Sequence, residues 1–427
     1  MTAKFSLKGG RVLDPATQLD QITDVHIAEG KIVAIGDAPA YFSADWELDV
    51  SQHLVCPGLV DLSVRLREPG AEHKGTIISE TRAAACNGIT TLCCPPDTNP
   101  VIDTPAVAEL LQKRAEEAGM AKVLPLAALT QSLAGQHLAS MGDLKEAGCI
   151  GVSNASLPVE NTEVLRHAME YAATHDMTIF LQAQDAWLGR AGCMHEGAYS
   201  VRLGLAGIPE EAEIIDVARC LLLIELTGVK AHFCRLTSAR AVAMIAEARE
   251  RGLSVTADVS AHHLFLTDLD IGEYNSQCHV HPPLRSERDK IGLRQGLLNG
   301  AIQAICSDHQ PHEADAKLSP FVSTAAGISS LDSLLPLCLQ LARDLEVDYL
   351  TMLNWVTVQP ARILGITAGT LTVNQPADIC VINPQLEWTL TLDTMHSIGR
   401  NSPFLGWSFL GKVVHTVIDG RLVSSVN

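Results

Sequence analysis

The feature that most constrains the fold is an alternation of apolar, strand-like runs with helix-like stretches through the middle of the chain. The strand-like runs lie at residues 59–66, 88–94, 122–127, 149–153, 178–183, 229–234, 254–259 and 301–308. Amphipathic stretches lie between them, for example at residues 104–118, 161–174, 210–227 and 238–251. Eight strand-then-helix units over about 300 residues match the size and rhythm of a (β/α)8 barrel. A doubly wound sheet is the rival, but no G-x-G-x-x-G follows an early strand. We therefore predict an α/β fold built on a TIM barrel.

The two ends of the chain have a different pattern. Residues 24–36 form two β-rich arms around a Glu29-Gly30 turn, which indicates a hairpin. Short strands are predicted at residues 369–373, 378–383 and 413–420, bounded by Gly, Pro and Asp. Because chain termini often meet at a domain surface, both ends can join in one small domain. We predict a β-sandwich from residues 1–55 and 366–427, attached to a barrel over residues 56–365.

Charge and cysteine content limit the partners and the compartment. The chain has 31 Lys and Arg against 49 Asp and Glu, a formal charge of −18, which argues against nucleic acid or an anionic membrane surface as the main partner. No apolar run approaches the roughly 20 residues of a membrane helix. Several of the 12 cysteines lie inside apolar runs, as reduced core thiols do, so a cytoplasmic protein is expected.

In such a barrel, chemistry is found on the loops that follow the strands. Asp308, His309 and His312 follow the last strand, where they could serve a general base or a metal, or could be a capping carboxylate with surface imidazoles. The pattern His279-x-His281 is like a metal-binding pair, but Pro282 and Pro283 predict an extended loop after it, so a structural role is favoured.

Other strand ends carry unusual side chains. In an extended segment His262 and His263 point to opposite sides, so at most one of them can face the barrel mouth. Arg65 and Arg235 stand at the ends of apolar strands, where an unpaired charge is costly. Guanidinium groups do not bind metal ions, so two arginines beside Asp308 argue against a metal centre there.

Together these motifs resemble the class I dihydroorotases of the amidohydrolase superfamily. The likeness covers essentially the whole chain and is carried by residues 55–61, 66–70, 97–100, 204–213, 255–264, 282–287, 307–312, 359–365, 375–379 and 401–406. The resemblance implies the same fold, a (β/α)8 barrel with a small β domain from both termini. The family activity that it implies is zinc-dependent interconversion of carbamoyl-aspartate and dihydroorotate in pyrimidine synthesis.

The resemblance also identifies the family's metal-ligand positions in this chain. Five of the six carry other residues, namely Ser63, Arg65, Asn154, Gln182 and Arg235. Asp308, the catalytic and metal-ligating aspartate of the family, is kept as a vestige. A catalytic zinc site needs about three protein ligands, so we expect no zinc, no other cofactor and no active catalytic residue. We expect Arg65 and Arg235 to pair with Asp308 instead, with the amides of Asn154 and Gln182 completing the hydrogen bonds.

The family's substrate-binding positions are only partly kept. Arg67 and His312 match its carboxylate-binding Arg and His, whereas Asp97 and His281 stand where it has asparagines. This pattern resembles the pseudo-dihydroorotases of some bacterial aspartate transcarbamoylases, notably in pseudomonads. Those proteins are inactive subunits that scaffold the transcarbamoylase. The resemblance implies the transcarbamoylase catalytic chain as partner, a hetero-dodecamer of six plus six chains, and self-association as a dimer.

Two other hypotheses stay open from the sequence. One is a repurposed cyclic amide hydrolase, metal-free or with a single metal, that uses Asp308, His309 and His312. The other is a sensor in which Arg65, Arg67 and Arg235 capture a small anion in the old pocket.

Overall fold

A computed structural model of the chain describes residues 3–425. In chain order the strands are β1 (Phe5–Asp14), β2 (Leu19–Ala28), β3 (Lys31–Ile35), β4 (Trp46–Asp49), β5 (Leu54–Pro57), β6 (Leu59–Asp61), β7 (Ile89–Cys94), β8 (Lys122–Pro125), β9 (Ala127–Ala128), β10 (Gly151–Ser153), β11 (Thr178–Leu181), β12 (Met194–His195), β13 (Gly207–Ile208), β14 (Ala231–Phe233), β15 (Val255–Ser260), β16 (Ala304–Cys306), β17 (Ile379–Thr389), β18 (Ser408–Ile418) and β19 (Arg421–Ser425). The α-helices are α1 (Ile77–Cys86), α2 (Pro105–Ala118), α3 (Met141–Glu146), α4 (Thr162–Thr174), α5 (Ala198–Leu203), α6 (Glu211–Thr227), α7 (Ala239–Glu250), α8 (Glu287–Leu298), α9 (Leu331–Asp344), α10 (Tyr349–Val356) and α11 (Val358–Leu364).

The predicted barrel is present. Strands β6, β7 and β8 pair in parallel, and β9, β10, β11, β14, β15 and β16 form a second parallel series. Leu126 lies between β8 and β9 and donates its N–H to Cys94 at 2.9 Å, so β8 and β9 are two halves of one barrel strand. A parallel bridge between Val64 and His309 joins the first strand to the last and closes the ring. The carboxylate of Asp61 strengthens this seam by accepting the N–H of Ser307 at 3.0 Å.

Local sequence explains why these elements form where they do. Every residue of β7 is buried, as expected for a barrel strand covered by helices on one side and by the barrel interior on the other. The side chain of Asn161 caps α4 by accepting the N–H of Glu163 at 2.9 Å, so this helix begins where the sequence predicts. The α/β fold class is therefore confirmed.

Strands from both ends of the chain share one sheet, in the order β19-β18-β17-β5-β1-β2-β3, with β4 paired to β1. The central joint is the antiparallel pairing of β17 with β5. The hairpin predicted at residues 24–36 is confirmed as β2 and β3. Buried hydrophobic side chains, most of them from the strands of this sheet, form a cluster separate from the barrel core.

The strand predicted at residues 369–373 is wrong, because this segment is irregular. Its polar groups are satisfied by a side chain rather than by a neighbouring strand. The carboxylate of Asp14 accepts the hydroxyl of Thr370 at 2.9 Å and the N–H of Leu371 at 3.1 Å. In the part of the chain that the structure describes, no helix has both the length and the apolar character needed to cross a membrane.

Candidate functional site

The candidate site lies at the barrel mouth, where the carboxyl ends of the parallel strands meet. Arg65 follows β6, Gln182 follows β11, Arg235 follows β14 and Asp308 follows β16. Because all the barrel strands point the same way, residues far apart in sequence converge at this end. Arg65, Arg235 and Asp308 are each at most 5% exposed, so their charges are held away from bulk water.

Asp308 is the centre of the site. Its Oδ1 accepts hydrogen bonds from Nη1 of Arg235, at 2.6 Å, and from Nη1 of Arg65, at 3.5 Å. The same oxygen accepts Oγ of Ser63 at 3.4 Å and Nε2 of Gln310 at 3.1 Å. The two arginine contacts predicted from the sequence are therefore present, and the one to Arg235 is the shorter.

Arg65 also has a second set of partners. Its Nε donates to Oδ2 of Asp97 at 2.7 Å, and its Nη2 donates to Oγ of Ser156 at 3.1 Å. Asp97 is thus an ion-pair partner of Arg65. Together Arg65, Arg235, Asp97 and Asp308 form an alternating arrangement of two cations and two anions, which we call the mouth ion pairs.

The mouth ion pairs explain the charge state of Asp308. Burial acts to raise the pKa of its carboxyl, but the neighbouring guanidinium groups of Arg235 and then Arg65 outweigh burial and hold the pKa below its ordinary value. Burial likewise acts to lower the pKa of Arg235, and the contact with Asp308 reverses this and raises it. Each group therefore stabilises the ionised form of the other.

The two amides behave differently from each other. Gln182 accepts a hydrogen bond from Nη2 of Arg235, as expected, although its own Nε2 is buried without a hydrogen-bond partner. The expectation for Asn154 is wrong, because its side chain joins the adjoining loops. Asn154 accepts Oγ1 of Thr130 at 2.7 Å and donates to the carbonyl of Leu157 at 2.9 Å. The nearby backbone carbonyls compete successfully for this amide.

Arg67 and His312, for which the resemblance implies carboxylate binding, lie beside the mouth ion pairs. Nη2 of Arg67 is 3.0 Å from Nε2 of His312, and Nε of Arg67 donates to the carbonyl of Pro311 at 3.1 Å. Burial and the nearby charge of Arg65 lower the pKa of Arg67 to about 10. Burial and the charges of Arg67 and Lys74 lower the pKa of His312 to about 3, so this imidazole is neutral near pH 7.

The remaining histidines of the mouth are also buried. Burial and the charge of Arg235 lower the pKa of His281 to about 4, despite the opposing effect of Asp308. His262 and His263 lie in a short 3-10 turn, Ala261–Leu264, and not in an extended segment. Their ring centroids are therefore 4.5 Å apart, and the expectation that they point to opposite sides is wrong. Burial lowers the pKa of His262 to about 4.

His309 is held in a network that the sequence did not reveal. Its Nε2 is 2.8 Å from Oε2 of Glu80, and its Nδ1 accepts the N–H of Ser330 at 3.0 Å. Glu80 is a fully buried carboxylate in α1 that also accepts Oγ of Ser397 at 2.6 Å. The sequence signal that could have identified Glu80 is its position between the apolar residues of the amphipathic helix α1, because a carboxylate on the buried face of a helix needs a partner. Gln310 was missed because only the Asp and His of its motif were considered.

Backbone strain also marks this end of the barrel. Arg67 (φ 65°), Arg235 (φ 54°), Asp308 (φ 49°) and Ala155 (φ 51°) all lie in the left-handed region. Non-glycine residues rarely adopt this conformation, and such residues are concentrated at functional sites. The strand ends therefore keep a geometry typical of a binding or catalytic mouth.

The side chains around Asp308 do not fit a zinc ion. Zinc is bound by imidazole, thiolate and carboxylate groups, whereas the groups that hydrogen-bond to Asp308 are two guanidinium groups, one hydroxyl and one amide. Nη1 of Arg235 lies 2.6 Å from Oδ1 of Asp308, so the guanidinium supplies the positive charge that a metal ion would give this carboxylate.

A group of metal-binding side chains occurs deeper in the barrel, at His232, Cys234 and Asp258. There Nε2 of His232 lies 2.9 Å from Oδ2 of Asp258, and Oδ1 of Asp258 accepts the N–H of Arg235 at 2.6 Å. Burial raises the pKa of the Cys234 thiol. These groups satisfy one another within the protein, so we assign them a structural role.

The cavities at the mouth are small. One, bordered by Arg65, Arg67 and Asp97, has a volume of about 80 Å³, and another, bordered by Asn154 and Gln182, has about 30 Å³. Sites for small organic ligands usually measure several hundred Å³. Arg65 and Arg67 line the larger of these two cavities.

Comparisons with known proteins give a consistent result. Residues 52–241 match the family described as Dihydro-orotase-like. The dihydroorotase-like protein of Pseudomonas aeruginosa is 50% identical over 418 residues, which cover 98% of this chain and 99% of that protein. The dihydroorotase of Syntrophus aciditrophicus is 43% identical, covering 98% and 99%. Among solved structures, the L-hydantoinase from Arthrobacter aurescens matches this chain with a TM-score of 0.88 at 21% identity. The match covers 100% of this chain and 96% of the hydantoinase chain, so the two proteins share a fold.

Proposed function

Because this chain belongs to the dihydroorotase-like family, we propose that it is a non-catalytic member of it. In this proposal it scaffolds and stabilises an aspartate transcarbamoylase complex in pyrimidine biosynthesis, in the cytoplasm, and holds no zinc. The observation that carries the proposal is the 2.6 Å contact between Arg235 and Asp308, the one family ligand that remains.

The donor set supports the loss of the family reaction. Zinc acts there by polarising an amide carbonyl and by activating a bound hydroxide, and both roles need a stably bound ion. Asp308 alone offers one carboxylate, whereas a catalytic zinc needs about three protein ligands. Here that carboxylate is neutralised by Arg235 and Arg65.

The geometry argues against the repurposed hydrolase that uses Asp308, His309 and His312. A general base must have a free lone pair within reach of the substrate. Both ring nitrogens of His309 are engaged by Glu80 and by backbone, and the imidazole is fully buried. His312 lies between two cations and its pKa is lowered to about 3, so it is a poor base near neutral pH.

The geometry also argues against the third hypothesis, an anion sensor. Arg65 and Arg235 are committed to carboxylates within the protein. Arg67 contacts a carbonyl and an imidazole rather than a carboxylate, but the adjoining cavity of about 80 Å³ leaves little room for an anionic ligand. We therefore place the scaffold function first.

The partner follows from the family resemblance. This chain keeps the barrel and the terminal sheet but carries ion pairs at the metal-ligand positions. Such a chain is suited to binding another protein through its surface. We propose the aspartate transcarbamoylase catalytic chain as this partner, in a hetero-dodecamer of six plus six chains, with self-association of this chain as a dimer.

Mixing the two purified chains tests the scaffold. Size-exclusion chromatography is expected to show a new, larger species that contains both chains, and transcarbamoylase activity is expected to elute with it. Because the mouth ion pairs need no ion, dialysis against a metal chelator is expected to leave this species intact. The transcarbamoylase chain with an unrelated barrel protein is the control. If the transcarbamoylase chain assembles and works equally well alone, the scaffold proposal fails.

A further inference from the structure

Helix α6 presents an apolar stripe to solvent. Ile215, Leu222 and Leu226 are 48%, 68% and 65% exposed, whereas the opposite face of the helix is buried in the barrel core. Because an α-helix turns once in about 3.6 residues, these three positions and Ala218 lie along one side of α6. Within residues 3–425, α6 is the only helix that exposes three large hydrophobic side chains. An aligned apolar patch of this kind is typical of an interaction surface.

The charges of α6 are neutralised within the chain. Each of its charged residues belongs to an ion pair, namely Glu211 with Arg240 at 3.1 Å, Glu213 with Arg285 at 3.7 Å, Asp216 with Arg219 at 2.6 Å and Glu225 with Arg251 at 3.5 Å. The chain as a whole carries a formal charge of −18, so two copies repel each other over much of their surface. At α6 they can approach without bringing unpaired carboxylates of this helix together.

This charge distribution indicates the kind of partner. A basic protein would be recognised by unpaired carboxylates beside the stripe, because complementary charges give an interface its specificity, and α6 offers none. A second copy of the chain presents the same neutral, apolar stripe, and a two-fold axis brings one patch of each copy onto the same patch of the other. The two helices are then antiparallel, which places opposite ends of their dipoles side by side.

We propose that the chain forms a dimer through α6, with a two-fold axis that crosses the helix between Ala218 and Leu222. Ile215 of one copy then lies beside Leu226 of the other copy at each end of the contact. Near the axis, Leu222 of each copy packs against Ala218 of the other, so that a large side chain meets a small one. This inference rests on the dimer that is part of the proposed function, and it adds the surface that forms the dimer.

The surface around α6 has about the extent that a dimer needs. Helix α6 packs between α4 and α7, and three adjacent helices of these lengths cover about 600 Å². The loop that carries Trp187, which is 68% exposed, adjoins α6, because the N–H of Asp185 donates to the carbonyl of Ala212 at 2.7 Å. A tryptophan adds about 150–250 Å², which brings the total near the roughly 800 Å² that each partner of a stable complex buries.

Sedimentation-velocity ultracentrifugation of the full-length protein over a range of concentrations tests this interface. The wild type is expected to dimerise. Leu222→Lys is expected to weaken the dimer at least about 100-fold, because two ammonium groups then meet near the axis in a contact that excludes water. Leu222 is exposed in the single chain, so the substitution leaves the packing of the monomer intact. Leu110→Lys on α2, at a leucine that is 43% exposed, is the matched control and is expected to change the dissociation constant by less than about twofold.

Mixing two variants tests the position of the axis. Leu222→Glu alone is expected to be monomeric for the same reason as Leu222→Lys. Equal amounts of the two variants are expected to form a mixed dimer, because opposite charges then meet where like charges met before. A general effect on folding would not be reversed by mixing.

The outcomes separate this inference from the proposed function. A wild-type chain that is monomeric at every concentration would overturn the dimer and its interface, whereas the scaffold is decided separately by the complex with the transcarbamoylase chain. A Leu222→Lys protein that dimerises like the wild type would overturn the α6 interface alone, as would two variants that do not associate when mixed. If Leu222→Lys keeps the dimer but loses the complex with the transcarbamoylase chain, the stripe binds that chain and the inference is wrong.

Discussion

Arg235→Ala is expected to lower the free energy of unfolding by about 3 kcal/mol, because removing the closer partner of a buried ion pair leaves Asp308 with only the longer contact to Arg65, at 3.5 Å. Asp308 is 1% exposed and would lose the guanidinium that lies 2.6 Å from Oδ1. Gln182 would lose its hydrogen-bond donor in the same substitution. Urea unfolding followed by circular dichroism measures the change.

Two comparisons make this result specific. Arg240→Ala removes a guanidinium that is half exposed and pairs with Glu211 at 3.1 Å, so its expected cost is below about 1 kcal/mol. The double variant Arg235→Ala with Asp308→Ala is expected to be less destabilised than the two single effects together, because each group loses value without the other. An Arg235→Ala protein within about 1 kcal/mol of the wild type would show that the pair does not hold the mouth.

The second large effect is a loss of stability in mild acid. Four buried histidines have pKa values below the ordinary value of 6.5. The pKa is about 4 for His262, His279 and His281 and about 3 for His312. Between these values and pH 6.5 the unfolded chain binds protons that the folded chain does not. Stability is therefore full above about pH 6.5 and falls as the pH drops, by about 1.4 kcal/mol per pH unit for each proton taken up.

Asp61 acts in the opposite direction. Burial raises its pKa to about 6 from an ordinary value of 3.8, so below pH 6 the folded chain holds a proton that the unfolded chain lacks. Four histidines that gain a proton on unfolding outweigh one aspartate that loses one. For these five groups the net uptake near pH 5 is about three protons, so their contribution to the free energy of unfolding is expected to fall by several kcal/mol between pH 7 and pH 5.

Urea unfolding at a series of pH values measures this slope. His262→Phe is expected to reduce the uptake by about one proton, since both ring nitrogens of His262 are buried without hydrogen-bond partners. His137→Phe, at an exposed histidine, is expected to leave the slope unchanged. A free energy of unfolding that is flat from pH 7 to pH 5 would contradict the account of buried neutral histidines.

The sequence predicted the fold because its signals are regular and repeated. Apolar runs separated by amphipathic stretches specify barrel strands and helices, and Asn161 marks a helix start that the structure shows. The contacts of Arg65 and Arg235 with Asp308 followed from a simple physical demand, since cations at the ends of buried strands need an anion.

Predictions were wrong where tertiary contacts decide between local alternatives. The Asn154 amide was expected to hydrogen-bond with the mouth ion pairs. It bonds Thr130 and Leu157 instead, and the sequence does not show that these two residues lie nearer to the amide. Residues 369–373 have β-rich composition, but Asp14, far away in sequence, satisfies their backbone. The sequence also did not show that Asp97, one of the altered substrate-binding positions, pairs with Arg65 at 2.7 Å. Such pairings depend on distances that no local pattern contains.

The most direct measurement of the central claim is zinc content together with turnover of carbamoyl-aspartate and dihydroorotate, on the same purified protein supplied with zinc. The account predicts zinc well below one ion per chain and no turnover above background. It predicts the same for Arg65→His, because one restored imidazole still leaves Ser63, Asn154, Gln182 and Arg235 at four of the six ligand positions. Turnover that rises in proportion to bound zinc would contradict the account, because it would require a metal-bearing site where Arg235 contacts Asp308.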